Sequence, residues 1–259
     1  MTDLATARVI VTGGSAGLGL AMVRALAERG ADVTAIARDP TRLGAARDAG
    51  ARTIVGDATE AALIHGAVAD IDPDVLILNA GARLPMKTID QEDWAGFSSI
   101  WNTDVKATLV GIQAALNTPM RPGGRVLIMS SGAAMVMSHP AIEPRSLRLS
   151  GGYIGAKRML WYMAYQAQAA SQDRELGISF QVLVPTQAMA GTELGHAVAA
   201  AGAEEEGLTI EAYMLKRYGP TLHPSQIGRQ VAELLVEPRY ETGTAYGFRA
   251  DIDLMPLDQ

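Results

Sequence analysis

The chain has 259 residues, 48% hydrophobic and 19% charged, a balance that fits a folded globular protein and excludes a disordered one. Lys and Arg total 22 against 28 Asp and Glu, and the net charge of -6 argues against the basic face that nucleic-acid binding needs. There is no cysteine, so neither a disulfide framework nor a thiolate metal site is available.

Short apolar segments alternate with helical patterns from the start. Arg8 to Thr12 reads as a buried strand, and Leu18 to Arg29 as a helix closed by Gly30. Next come strand Asp32 to Ala37, helix Pro40 to Ala49, strand Arg52 to Val55 and helix Glu60 to Ala69. Strand Asp74 to Leu78 leads to a long helical region, Phe97 to Asn117, then strand Arg125 to Met129, helix Tyr153 to Gln172 and strand Ser179 to Val184. Strands apolar on both faces and alternating with helices imply a parallel sheet covered on each side, built by right-handed crossovers. The expected fold is therefore α/β: a Rossmann-type doubly wound sheet of about seven strands, in one domain over residues 1–259.

Two stretches break this rhythm. His139 to Gly152 reads as a loop, and Gly191 to Pro220 as an Ala-, Glu- and Gly-rich helical excursion; segments of this type either cover a site or are tolerated surface insertions. The opening stretch MTDLATARVIVTGG lacks the basic-then-apolar layout of a signal peptide, and no apolar segment approaches the ~18 residues that cross a bilayer. The expectation is a cytoplasmic protein with no membrane partner.

The string Thr12-Gly13-Gly14-Ser15-Ala16-Gly17-Leu18-Gly19 follows the first strand and opens the first helix. Glycines there let the backbone turn tightly and approach a pyrophosphate, while the helix N-terminus attracts its charge. At the end of the second strand, Arg38 follows Ala37 directly, and an Arg in that place suits the 2'-phosphate of NADP. We therefore prefer NADP(H) over NAD(H), although the neighbouring Asp39 retains the option of a ribose contact. Further along, Tyr153 and Lys157 stand four apart on a helix and so share a face, and a nearby ammonium favours a phenolate.

Taken together, these motifs resemble the short-chain dehydrogenase/reductase family, in its compact subgroup, over nearly the whole chain. TGGSAGLG fits the family's TGxxxGxG; Gly56-Asp57-Ala58 stands where the family has an Asp at the adenine; Asn79-Ala80-Gly81 reproduces its NAG motif; Ser130-Ser131-Gly132 follows the fifth strand; Tyr153 and Lys157 match YxxxK. The resemblance implies hydride transfer between a nicotinamide and a ketone or secondary alcohol, with Tyr153 as general acid or base. It implies that Ser131 holds the substrate oxygen and Lys157 the nicotinamide ribose. Cofactor contacts are implied for Gly13, Ser15, Gly17, Leu18, Gly19, Arg38, Asp57, Ala58, Asn79, Ala80, Gly81, Tyr153, Lys157, Pro185 and Thr192. A homodimer or homotetramer is implied too, with Phe97 to Asn117 and the helix of Tyr153 facing a partner subunit.

The sequence departs from the family pattern in three places. Where the family has a catalytic Asn, alignment puts Asp104, with Asn102 two residues earlier; Asp104 is carried as the relay residue. Ser131 and Tyr153 are separated by more residues than is usual, which leaves Ser138 as a rival to Ser131. Pro185-Thr186-Gln187 replaces the usual Pro-Gly, so an added side chain is expected to narrow the pocket; Thr192 suits the carboxamide, or equally a helix cap. His65, His139, His196 and His223 show no metal-ligand spacing, and no metal is expected. Glu204-Glu205-Glu206 reads as a solvated helix start, and Met135, Met137, Met159, Met163 and Met189 as a soft apolar pocket or as core. The function expected is an NADP(H)-dependent oxidoreductase of a small carbonyl or alcohol of apolar character; the alternative is a dinucleotide sensor with little turnover.

Overall fold

The computed structural model describes residues 2–82, 87–138, 152–187, 189, 193–218, 221–250 and 253–258. One sheet runs through it, in the strand order β3-β2-β1-β4-β5-β6-β7-β8. The strands are β1 (Arg8–Thr12), β2 (Asp32–Ala37), β3 (Arg52–Val55), β4 (Val75–Leu78), β5 (Arg125–Met129), β6 (Ser179–Pro185), β7 (Ala245–Phe248) and β8 (Met255–Pro256). Seven are parallel, and β8 is a short antiparallel edge strand on β7. The strand order reverses between β1 and β4, which opens a crevice at their C-terminal ends, where doubly wound sheets bind ligands.

Side-chain alternation decides which residue faces which layer. Val9 and Val11 of β1 join a core on one face with α1 (Gly17–Glu28) and α9 (Pro224–Val236), through Met22, Leu26, Ile227 and Val231. Ile10 points the other way, into a core with α3 (Ala61–Ile71), α5 (Lys106–Asn117) and α6 (Tyr153–Asp173). Because both faces are covered, the strands are apolar on both sides, which is why they read as continuous apolar segments. Of the expected Met pocket, Met135, Met159 and Met163 pack into this second core and Met189 against the first. They are core filling, so they give no support to an apolar substrate pocket.

Several helices differ from their sequence expectations for local reasons. The helix expected over Pro40 to Ala49 is only α2 (Gly44–Asp48). Asp39 Oδ1 accepts from the Thr41 and Arg42 amides at 2.8 and 3.3 Å, holding those residues in a turn instead. The long helix begins earlier, at α4 (Trp94–Ile100), because Asp93 caps it by accepting from the Gly96 amide at 2.7 Å. Between α4 and α5 lies one turn of π-helix, Trp101–Val105, which the sequence pattern does not distinguish from α-helix.

The excursion forms α7 (Glu193–Glu206) and α8 (Ile210–Tyr218), which share a small cluster of Ala199, Ala203 and Tyr213. Glu204 to Glu206 therefore end a helix and do not start one, since Gly207 at φ +64° turns the chain out of it. Glu206 is matched there by Lys216 at 3.0 Å. His223 is a helix cap: its Nδ1 accepts from the Ser225 amide, and its own amide donates to Gln226 Oε1 at 2.8 Å. At the opposite end of the sheet from the crevice, the buried Arg125 donates to Gln181 and to the carbonyls of Leu234 and Tyr240. That guanidinium ties β5 to the C-terminal end of α9, where the helix carries partial negative charge. Among the described residues no helix is long and apolar enough to cross a membrane.

Candidate active site

All the parallel strands end on one edge of the sheet, and the expected site residues gather there. After β1 the chain turns at Gly13, whose φ of +68° suits glycine and whose amide donates to Ile36 O at 2.8 Å. A side chain at Gly19 would collide with the Gly13 carbonyl, so this first turn of α1 folds only with glycine. Ala16 at the head of α1 has no side-chain acceptor for the amides of that turn. Uncapped amides beside a glycine bend form a cradle that fits a pyrophosphate. Ser15 is half-buried in the bend, while the Leu18 side chain packs into the first core and leaves only its backbone to the cradle.

A residue outside the expected set organises this corner. The buried Thr12 donates its hydroxyl to Ile77 O at 3.3 Å and accepts from the amides of Asn79 and Ala80 at 3.0 and 3.2 Å. Asn79 Nδ2 reaches back to Thr12 O at 3.2 Å and Gly13 O at 3.4 Å. The Asn79-Ala80-Gly81 turn is thus knitted to the glycine bend. The threonine directly before the glycines was the available signal, because a hydroxyl is the side chain that both donates and accepts.

At the far end of the crevice Arg38 follows β2 and Asp57 follows β3, with Arg38 Nη1 3.7 Å from Asp57 Oδ2. Asp57 is partly buried, which works against its charge. Hydrogen bonding from Thr59 together with Arg38 and Lys106 nevertheless holds its carboxyl below the usual range. Ala58 is buried beside it, and Arg38 is exposed.

The centre of the site is a buried ion pair. Lys157 Nζ lies 2.8 Å from Asp104 Oδ2, with both side chains almost fully enclosed. The other carboxylate oxygen, Oδ1, accepts from the Ala82 amide at 2.7 Å. The same ammonium donates to Met129 O at 3.3 Å, and it lies 5.7 Å from the centre of the Tyr153 ring. Burial alone would pull Lys157 down, but Asp104 and Tyr153 hold it above the usual lysine range. Tyr153 is buried against Ile100 and Ala156, at the first turn of α6. Asn102 is exposed, with its amide 3.4 Å from Ser98 Oγ, so it takes no part.

The two serines after β5 divide their work. Ser130 is buried and donates to Lys157 O at 2.9 Å, fastening α6 to the strand end. Ser131 is half-buried and accepts from the Ala133 amide at 3.2 Å in the 3₁₀ turn that follows. Beyond β6, Thr186 does not use its hydroxyl on the pocket: Oγ1 donates to Phe248 O at 2.9 Å. Gln187 Oε1 accepts from the Ala250 amide at 2.6 Å, so Pro185-Thr186-Gln187 is strapped to the end of β7. Thr192, His139 and the Ser138 side chain lie outside the described residues.

A family model described as short chain dehydrogenase matches residues 7–142, more than half of the chain. The protein belongs to the short-chain dehydrogenase family. The matched segment includes the glycine cradle, Asp104 and Ser131, while Tyr153 and Lys157 lie beyond it. Gluconate 5-dehydrogenase of Gluconobacter oxydans is 33% identical over 156 residues, covering 55% of this chain and 59% of that one. Two probable oxidoreductases of Streptomyces are each matched over 47% of their length, so the chain spans about half of several relatives it resembles. Among solved structures, levodione reductase superposes with a TM-score of 0.74 at 19% identity, covering 92% of this chain and 94% of that one. A blue fluorescent protein from a metagenomic library, in complex with NADPH, superposes at 0.70 and 23% identity, over 96% and 98%. These last two likenesses speak to the fold alone.

Removing the carboxylate would leave an unpaired buried ammonium. Asp104→Ala should therefore destabilise the protein by about 3–5 kcal/mol in urea unfolding. Because Lys157 is raised in the folded state, the stability from the pair is fully present below the ordinary lysine pKa of about 10.4. It is lost as pH rises through the folded value. In Asp104→Ala burial acts on Lys157 without its partner, so the difference between wild type and variant should be largest in mild acid and shrink steadily as pH rises, vanishing in strong alkali.

Proposed function

We propose that the protein is an NADP(H)-dependent oxidoreductase that interconverts a ketone and a secondary alcohol, with Tyr153 giving and taking the proton on oxygen. The observation that carries this reading is the open glycine cradle and the buried Tyr153–Lys157–Asp104 group on the same edge of one sheet. Bound nicotinamide would supply the hydride donor or acceptor, which no side chain can provide. The amides of Ser15, Gly17, Leu18 and Gly19 would hold the pyrophosphate, Asp57 and Ala58 the adenine, and Asn79 to Gly81 with Pro185 the nicotinamide half. Lys157 would hold the nicotinamide ribose. Ser131 would donate a hydrogen bond to the substrate oxygen, where charge develops.

Preference for NADP rests on the two residues after β2. Asp39 has one carboxylate oxygen taken by two turn amides, whereas Arg38 is exposed, with its guanidinium 3.7 Å from Asp57. A guanidinium so placed can turn to a 2'-phosphate with charge-assisted hydrogen bonds. The dehydrogenase name of the Gluconobacter relative suits an alcohol–carbonyl pair and leaves its identity open. The α7–α8 excursion stands in the chain where a cover for the substrate would be expected, after β6. Trp101, Leu109, Tyr162 and Tyr165 remain exposed on the π turn, α5 and α6, a face that suits a homodimer or homotetramer.

Tyr153→Phe should lower turnover with NADPH on a carbonyl panel by about 10²–10⁴-fold while cofactor affinity persists. Cofactor binding with no turnover by wild type on any carbonyl or alcohol would leave the sensor reading in its place. Arg38→Ala should weaken NADP by about tenfold or more and NAD little, the size of a lost charge-assisted bond; an unaltered preference removes Arg38 from the argument. In sedimentation velocity the protein should run as a dimer or larger, and a monomer would remove the oligomer assignment.

A further inference from the structure

The carboxylate at position 104 has two oxygens, and the fold puts a donor on each: the Ala82 amide at 2.7 Å on Oδ1 and Lys157 Nζ at 2.8 Å on Oδ2. An asparagine offers a single acceptor oxygen, so it would satisfy one donor and present its NH₂ to the other. Room for the carboxylate exists because position 81 is glycine; a Cβ there would stand 3.1 Å from Oδ2 and 3.3 Å from Oδ1. The π turn belongs to the same device, since Asp104 lies within it. These features give the side chain its room, and the two donors favour a carboxylate over the isosteric amide.

The consequence is electrostatic. Lys157 has one carboxylate partner among the described residues, and the pair is sealed from water, so the ammonium's charge is cancelled within 3 Å. Arg158, next along α6, points away, its guanidinium over the Trp161 and Tyr162 rings and donating to Ala134 O. The titratable groups at the pair are then Asp104 from the π turn and Tyr153 and Lys157 from α6, while β5 offers only the Met129 carbonyl.

We propose that Asp104 is a positioning residue that seats Lys157 and cancels its charge, so that the site accepts the positively charged oxidised nicotinamide as readily as the neutral reduced one. This rests on the reading of Lys157 as the residue that holds the nicotinamide ribose. A lone buried ammonium there would repel the oxidised ring and leave the reduced ring untouched. A lone carboxylate would do the reverse. Asp104 thus sets the balance between the two redox forms of the cofactor.

The test measures Kd for the oxidised and the reduced cofactor, by calorimetry and nicotinamide fluorescence, with no turnover involved. Asp104→Asn, read at about pH 6 so that the remaining ammonium stays protonated, should shift the oxidised-to-reduced Kd ratio about tenfold against the oxidised form. Lys157→Met, read at about pH 8, should shift it by a similar factor the other way. The double variant should return the ratio towards wild type. Each is compared with wild type at the same pH. A role confined to packing would weaken both forms alike, and unmoved ratios in the two single variants overturn the proposal while leaving the oxidoreductase reading intact. If Asp104→Asn fails to fold, Lys157→Met and the double variant still decide it. Wild type that binds neither form overturns both readings at once.

Discussion

A carboxylate and an ammonium pressed together in a dry interior form the joint on which this site depends. Asp104 comes from the π turn before α5, and Lys157 from the first turns of α6. Neither charge can be buried alone without a penalty of several kcal/mol, so the two elements must dock in one relative position or not at all. The pair also reaches the end of β5 through Met129 O and the segment after β4 through the Ala82 amide. Four separate pieces of chain are brought to one point, and Tyr153 sits one helical turn from it.

The surrounding structure holds that joint still. Ser130 bonds the carbonyl of Lys157 itself, so the strand end grips the backbone as well as the side chain. On the cofactor side Thr12 performs the equivalent task, linking β1 to β4 and to the Asn79-Ala80 turn through one hydroxyl. On the third side Thr186 and Gln187 are tied to the end of β7. Each is a neutral side chain that bonds backbone groups of a neighbouring segment where a strand ends. The result is a rigid floor along one edge of the sheet, suited to holding reacting groups in a fixed geometry.

Much of this was legible in the residues because it depends on neighbours in sequence. The alternation of buried strands and helices, the glycine bend before α1 and the i, i+4 spacing of Tyr153 and Lys157 are local patterns with local causes. What misled was also local in origin, namely a side chain used differently from its type. Asp39 holds a turn and shortens α2; the three glutamates close α7; the methionines fill the core; Thr186 bonds a strand carbonyl. The π turn could not be read, because its five residues make about one turn, too short for a change of period to show in the apolar pattern.

The residues by themselves determined the doubly wound sheet, the glycine bend of Gly13 to Gly19 and the shared face of Tyr153 and Lys157, since periodicity and short motifs are set by steric rules along the chain, while Ser131 came from the family resemblance. Only the tertiary structure decided that Asp104, and not Asn102, meets Lys157, that Ser130 grips the helix while Ser131 is left half-buried, and that Thr12 belongs to the site. Those outcomes hinge on groups tens of residues apart competing for the same buried donors and acceptors. Such a competition is settled by three-dimensional packing and by the cost of an unpaired charge, neither of which is written at any one position.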